Sequence, residues 1–255
     1  MGRTDILGVP FDPVTLDGAV GRICSLLSSP SIAGPRVVVT ANPEIVEAAL
    51  RDEELMDILN RADLVVADGV GVVWASRVLG RALPGRVAGA DLVERLFEEG
   101  RTRGWRFYFL GARPGVAEEA SQRVRARYEG LEVVGVHHGY FQKGDEEEVV
   151  RNIRVSGADI LLVGLGAPRQ EKWIFRNRHM LGVKLCIGVG GTLDVLSGRV
   201  RRAPDAMRRA GVEWLYRLIT QPSRLGRMAR LPLFAWHVLL FRYGRGGIWT
   251  KHRRD

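Results

Sequence analysis

Polar side chains recur where apolar runs break off. Thr40 and Asn42 follow Val37-Val38-Val39, and Asp68 follows Leu64-Val65-Val66-Ala67. Tyr140 follows Leu131–Val136, Gln170 follows Ile160–Val163, and Asp194 follows Leu185-Cys186-Ile187. Glycine or proline stands beside each: Pro43, Gly69 and Gly71, Gly139, Gly164 and Gly166, Gly188, Gly190 and Gly191. Glycine turns let the backbone approach a bound group and leave amides free for phosphate oxygens. A carboxylate, a hydroxyl, carboxamides and such turns at neighbouring strand ends describe a nucleotide-type crevice. Two of these groups have a plainer reading. Asp68 is the residue type that caps a helix beginning near Val72, and Thr40 and Asn42 are a cap pair for the helix after Pro43.

Other chemistries are poorly served. None of the three Gly-x-Gly stretches completes the dinucleotide fingerprint, because Trp74, Arg169 and Leu193 occupy the third glycine's place. No Gly-Lys-Ser/Thr marks a P-loop. His137-His138 lacks a partner at metal-ligand spacing, and no Asp-x-Asp offers a divalent clamp, so the expectation is a metal-independent site. Arginine, which binds phosphate bidentately, is the alternative clamp, with Arg86 and the C-terminal arginines as candidates. Two cysteines, Cys24 and Cys186, make no disulfide framework and suit a reducing cytoplasm.

The elements that must position these groups alternate along the chain. Buried strands are read at 36–40, 64–67, 105–110, 131–136, 160–163 and 184–187, because near-continuous apolar runs fit parallel strands covered on both faces. Helices are read at 15–27, 44–50, 72–79, 91–97, 115–128, 146–155 and from 169 through Trp173. Strand–helix alternation predicts an α/β, doubly wound, mostly parallel sheet. From Ala203-Pro204 onward the pattern is helical, and the division is placed at 1–195 for the α/β domain with the nucleotide-type crevice and 196–255 for an appendage. Residues 199–255 hold 13 Arg and 1 Lys against 2 Asp and 1 Glu, a surplus of 11 positive charges. The whole chain is +9, so the preceding 198 residues carry −2. The basic character is confined to one segment, which points to an anionic partner there. The apolar run Leu231–Phe241, with Trp236, is read either as core or as an interfacial helix on anionic lipid. Eleven residues cannot span a bilayer, and Met1–Asp5 lacks the apolar core of a signal peptide.

The motifs that carry a resemblance come in order. They are Thr40-Ala41-Asn42-Pro43-Glu44, Ala67-Asp68-Gly69-Val70-Gly71, Arg86 with Gly89-Ala90-Asp91, Gly164-Leu165-Gly166-Ala167-Pro168-Arg169-Gln170-Glu171-Lys172-Trp173, and Gly188-Val189-Gly190-Gly191 with Asp194. Arg202-Ala203-Pro204 and Glu213-Trp214-Leu215-Tyr216-Arg217-Leu218 follow. From about residue 5 to 242 the chain resembles the WecG/TagA/CpsF family of bacterial glycosyltransferases, the N-acetylmannosaminyltransferases of wall teichoic acid and related polymers. The resemblance implies a Rossmann-like fold and inverting transfer from a UDP-sugar to a saccharide on undecaprenyl diphosphate, with no cofactor, at the cytoplasmic membrane face. It implies Asp68 as the base, with Thr40, Asn42, Arg86 and Gln170 in the active site. It carries Tyr140 and Asp194 toward the nucleotide, and Gly69, Gly139, Gly166 and Gly190 go with the substrate. Arg217, Arg224 and Arg227 are implied as arginines of a membrane-docking appendage. Arg169 stands where the family more often has Lys, and Leu193 where it usually has Phe.

Two other classes stay open on residues alone. A nicotinamide-dependent oxidoreductase would use the glycine turns, and a nucleic-acid-binding module would use the +11 segment, although the reading adopted takes no nucleic-acid partner. The donor sugar, the acceptor linkage and the oligomeric state, a homo-oligomer included, are not fixed by the sequence.

Overall fold

The structure, a computed structural model, describes residues 2–29, 34–209, 211–220 and 230–244. Six parallel strands form one sheet: β3 (Arg36–Ala41), β4 (Leu64–Ala67), β5 (Arg106–Gly111), β6 (Glu132–His137), β7 (Ile160–Gly164) and β8 (Leu185–Gly188). Their spatial order is β4-β3-β8-β7-β5-β6. The strands predicted from apolar runs are all present, with ends that move by a residue or two.

Alternating side chains build two cores, one on each face, which is why the strands read as continuous apolar runs. Val37, Val39, Val65, Tyr108, Leu110, Leu161, Val163 and Cys186 belong to one core. Val38, Leu64, Val66, Phe107, Phe109, Ile160, Leu162, Leu185 and Ile187 belong to the other. The first is covered by α2 (Pro43–Ala49), α3 (Glu53–Arg61), α4 (Val70–Val78), α7 (Glu146–Ser156) and α8 (Arg169–Asn177). The second is covered by α1 (Leu16–Ser28), α5 (Gly89–Arg103) and α6 (Val116–Arg127). Helix α5 starts two residues before Asp91 and runs well past Phe97, until Gly104 takes a left-handed φ of 68°.

Four elements go beyond those assigned from the sequence. β1 (Thr4–Ile6) and β2 (Val9–Phe11) form a hairpin closed by Leu7 and Gly8 at φ 53° and 89°. Strands of three residues are too short to show a period. Helix α3 carries a clear signal, since Asp52 accepts from the Leu55 amide as its cap. Helix α9 (Thr192–Leu196) is a single turn after β8.

The described residues of the C-terminal segment carry three helices, α10 (Asp205–Arg209), α11 (Glu213–Thr220) and α12 (Arg230–Tyr243). Helix α12 packs on α2 and α4. Phe234 and Val238 join the core that contains β3 and β4. Its other face leaves Trp236, Leu239, Leu240 and Phe241 to solvent, with Trp236 59% exposed. The core reading of Leu231–Phe241 therefore holds for one side of the helix, and the other side is left to solvent. No helix among the described residues is long and apolar enough to cross a membrane.

Candidate active site

Strands β4, β3, β8 and β7 are consecutive in the sheet, so their carboxyl ends form one row. Open parallel sheets bind ligands along such a row. A cleft of about 700 Å³ opens there. Its polar wall holds Thr40, Asn42, Asp68, Arg86, Gln170 and Gly190.

Local geometry assigns each group. The Asn42 side chain accepts from the Ile45 amide at 3.0 Å and caps α2. Thr40 is not a cap: its buried Oγ1 donates to the Gly188 carbonyl at 3.0 Å, tying β3 to β8. A Cβ on Gly89 would meet that Oγ1 at 3.2 Å, so the start of α5 sits close on the end of β3. Asp68 is not the cap of α4 either. Gly69 holds that position, with no side-chain cap bond and with φ 135°, a conformation that favours glycine. Gly71 lies against Pro43, where a Cβ would meet Cγ at 2.9 Å. These close approaches hold β4 and α2 together and leave the Asp68 side chain in the cleft wall, part-exposed.

Arg86 reaches the same place from the loop before α5. Its Nε lies 3.7 Å from Asp68 Oδ1, and its Nη2 donates to Glu213 Oε2 of α11 at 2.6 Å. Burial opposes the guanidinium charge, but the Glu213 bond and the Asp68 charge outweigh it and hold Arg86 above its ordinary value. Nearby, Arg202 donates to Asp91 at 2.5 Å, and Arg208 reaches the same oxygen at 3.4 Å. Arg202 also lines the cleft.

Gln170 is fixed at both ends. Its Oε1 accepts from the Gly190 amide at 3.0 Å, and its Nε2 donates to Glu171 Oε1 at 2.7 Å. Glu171 is buried behind it, and burial pushes the carboxyl above its ordinary value. Gly188 makes room for the pair, since a Cβ there would meet Gln170 Nε2 at 2.7 Å.

The cleft thus brings together Thr40, Asn42, Asp68, Gly69, Arg86, Gly166, Gln170 and Gly190. It does not include Gly139, Tyr140 or Asp194 in its wall. Gly139 and Tyr140 follow β6, the sheet edge farthest from β4, and Tyr140 is 66% exposed. Gly139 seals that end: its amide donates to Ala112 O at 2.8 Å, and a Cβ would strike Leu165 at 2.8 Å. Asp194 is half-buried on α9, which packs on α6. Arg217 belongs to α11, and Arg224 and Arg227 lie outside the described residues.

Several cleft residues were not singled out from the sequence. Trp74, Glu213, Trp214, Leu231 and Phe234 line it, and Glu171 supports it from behind. Glu213 reads in sequence as an acidic helix start, a common dipole partner, and nothing local links it to Arg86.

The sequence profile of the Glycosyl transferase WecG/TagA/CpsF family matches residues 4–246, and the chain belongs to that family. The family makes the chain a glycosyltransferase, with which its fold is consistent, and this class is favoured over an oxidoreductase or a nucleic-acid-binding module. The chain is similar to the N-acetylglucosaminyldiphosphoundecaprenol N-acetyl-beta-D-mannosaminyltransferases of Staphylococcus aureus strains MRSA252, NCTC 8325 and COL. It is 35% identical to each over 236 residues, 92% of both chains.

Proposed function

We propose that this enzyme transfers N-acetylmannosamine from a UDP-sugar to N-acetylglucosamine borne on undecaprenyl diphosphate, with inversion. The observation that carries the reading is Asp68: a part-exposed carboxylate in the wall of a strand-end cleft, with the Arg86 guanidinium at 3.7 Å. Asp68 takes the proton of the acceptor hydroxyl as that oxygen bonds to the anomeric carbon and the bond from that carbon to UDP breaks. A base so placed contributes on the order of 10²–10⁴ in rate. Charge developing on the diphosphate is met by Arg86, by Arg202 and by the glycine-turn amides, without a metal ion. Thr40, Asn42 and Gln170 orient the sugars, while Tyr140 and Asp194 border the nucleotide beyond the cleft.

The acceptor's lipid places the reaction at the inner membrane face. In support, α11 exposes Trp214, Leu215 and Ile219, and α12 exposes Trp236, Leu239, Leu240 and Phe241. Arginines of the same segment, Arg217, Arg224 and Arg227 among them, supply attraction to anionic headgroups of about 1 kcal/mol each. The test is UDP release with a lipid-linked N-acetylglucosamine acceptor across a panel of UDP-sugars. Asp68→Asn should lose at least 100-fold in kcat while still binding the donor. Full activity in that variant removes the base assignment, and no release from any donor removes the reading.

A further inference from the structure

Glu171 is a buried carboxyl whose place costs the fold stability. It is 1% exposed on α8, behind the cleft wall. Its Oε1 accepts from Gln170 Nε2 at 2.7 Å, whereas its Oε2 is buried with no hydrogen-bond partner among the described residues. Taking a carboxyl out of water with one oxygen unmatched is unfavourable, and an apolar side chain of similar size in its place is often neutral or better. The sheet nevertheless makes room for it: a Cβ on Gly188 would meet Glu171 Oε1 at 3.1 Å and Gln170 Nε2 at 2.7 Å. What the carboxyl holds is Gln170, itself 3% exposed in the cleft wall. The Gly190 amide can only donate, so it selects the oxygen end of the carboxamide, at 3.0 Å. Glu171 Oε1 then takes one of the two hydrogens on Nε2, and no described residue takes the second. Burial raises the Glu171 carboxyl, yet Oε1 accepts whether the group is ionised or carries its proton on Oε2.

We propose that Glu171 is a positioning residue for glycosyl transfer: it pins the nitrogen end of the Gln170 carboxamide, so that Gln170 braces the Gly190 turn and offers its second N–H to the bound sugar. The role rests on the glycosyl-transfer reading above. It needs an acceptor atom at Oε1 and no charge, which separates it from an ion pair or a proton carrier.

The experiment compares Glu171→Met and Glu171→Gln in the full chain, by thermal unfolding at neutral pH, by UDP release and by nuclear magnetic resonance of isotope-labelled glutamine. Methionine fills the space without an acceptor, and glutamine keeps one. Glu171→Met should melt at or above the wild-type temperature and lose at least tenfold in kcat. Glu171→Gln should restore kcat to within threefold of the wild type. In a Gln170→Met background, Glu171→Met should cost less than a further threefold, since both act as one unit. The chain has four glutamines, and the Gln170 carboxamide signals are those lost in Gln170→Met. Their protons should exchange with solvent at least tenfold faster in Glu171→Met than in the wild type or Glu171→Gln. A Glu171→Met enzyme that keeps its kcat overturns the proposal, and so does one that melts below the wild type, which would make the role structural. A Glu171→Gln enzyme as slow as Glu171→Met overturns it as well. If the wild-type enzyme releases no UDP, the glycosyl-transfer reading fails instead. The exchange rates still decide the pair, because unchanged exchange in Glu171→Met would show that Glu171 does not fix Gln170.

Discussion

Phe234 offers a direct test of how the C-terminal segment is attached. It is 2% exposed, sits on α12 and packs into the core that holds β3 and β4. Burying a phenylalanyl side chain is worth about 1.5–3 kcal/mol of transfer free energy. Truncation to alanine adds a cavity term where the surroundings do not collapse, giving about 3–5 kcal/mol in total. At roughly 2–4 °C per kcal/mol for a chain of this size, the melting temperature should fall by about 6–20 °C. Trp236, two residues on and 59% exposed, is the control. Trp236→Ser should leave melting within about 0.5 kcal/mol of the wild type, as surface changes usually do. The same variant should weaken pelleting with anionic liposomes, because the lost indole belongs to the exposed face. Calorimetry and a liposome sedimentation series measure both. A Phe234→Ala variant that melts with the wild type would mean α12 is not docked on α2 and α4. A Trp236→Ser variant that pellets unchanged would remove this face from the membrane contact.

Three further outcomes follow from the cleft. Burial raises the Glu171 carboxyl above 4.5, so the folded state binds its proton more tightly than the unfolded chain does. Stability from this group is present below that value and is lost as pH rises through the folded one, so Glu171→Gln should flatten the stability–pH curve above 4.5. An unchanged slope in urea titrations would refute this. Gly188→Ala would push a methyl into Gln170, and kcat should fall at least tenfold, with a steady-state assay to check it. Tyr140→Ala, at an exposed position, should leave melting unaltered and raise the donor KM severalfold. An unaltered KM would separate Tyr140 from the nucleotide.

Much of the site is legible in the sequence because it is local. Asp68 and Gly69 follow directly on a strand, so their place at a sheet edge needs only the end of the apolar run. Asn42 caps α2 through an amide three residues away, which Asn-Pro announces. The alternation of strand and helix likewise requires only short windows.

What the tertiary structure decides is adjacency over distance. The strand order puts β8 beside β3, so the Thr40 hydroxyl meets the Gly188 carbonyl across 148 residues. Glu213 meets Arg86 across 127 residues, where the turn before α11 lies with Gly211 close on Val70. Helix α12 spreads its apolar residues around its axis, so no periodicity distinguishes the face that enters the core from the face left to solvent. Spacing records neighbours along one element, whereas the polarity of a contact is set by whichever element the fold lays against it.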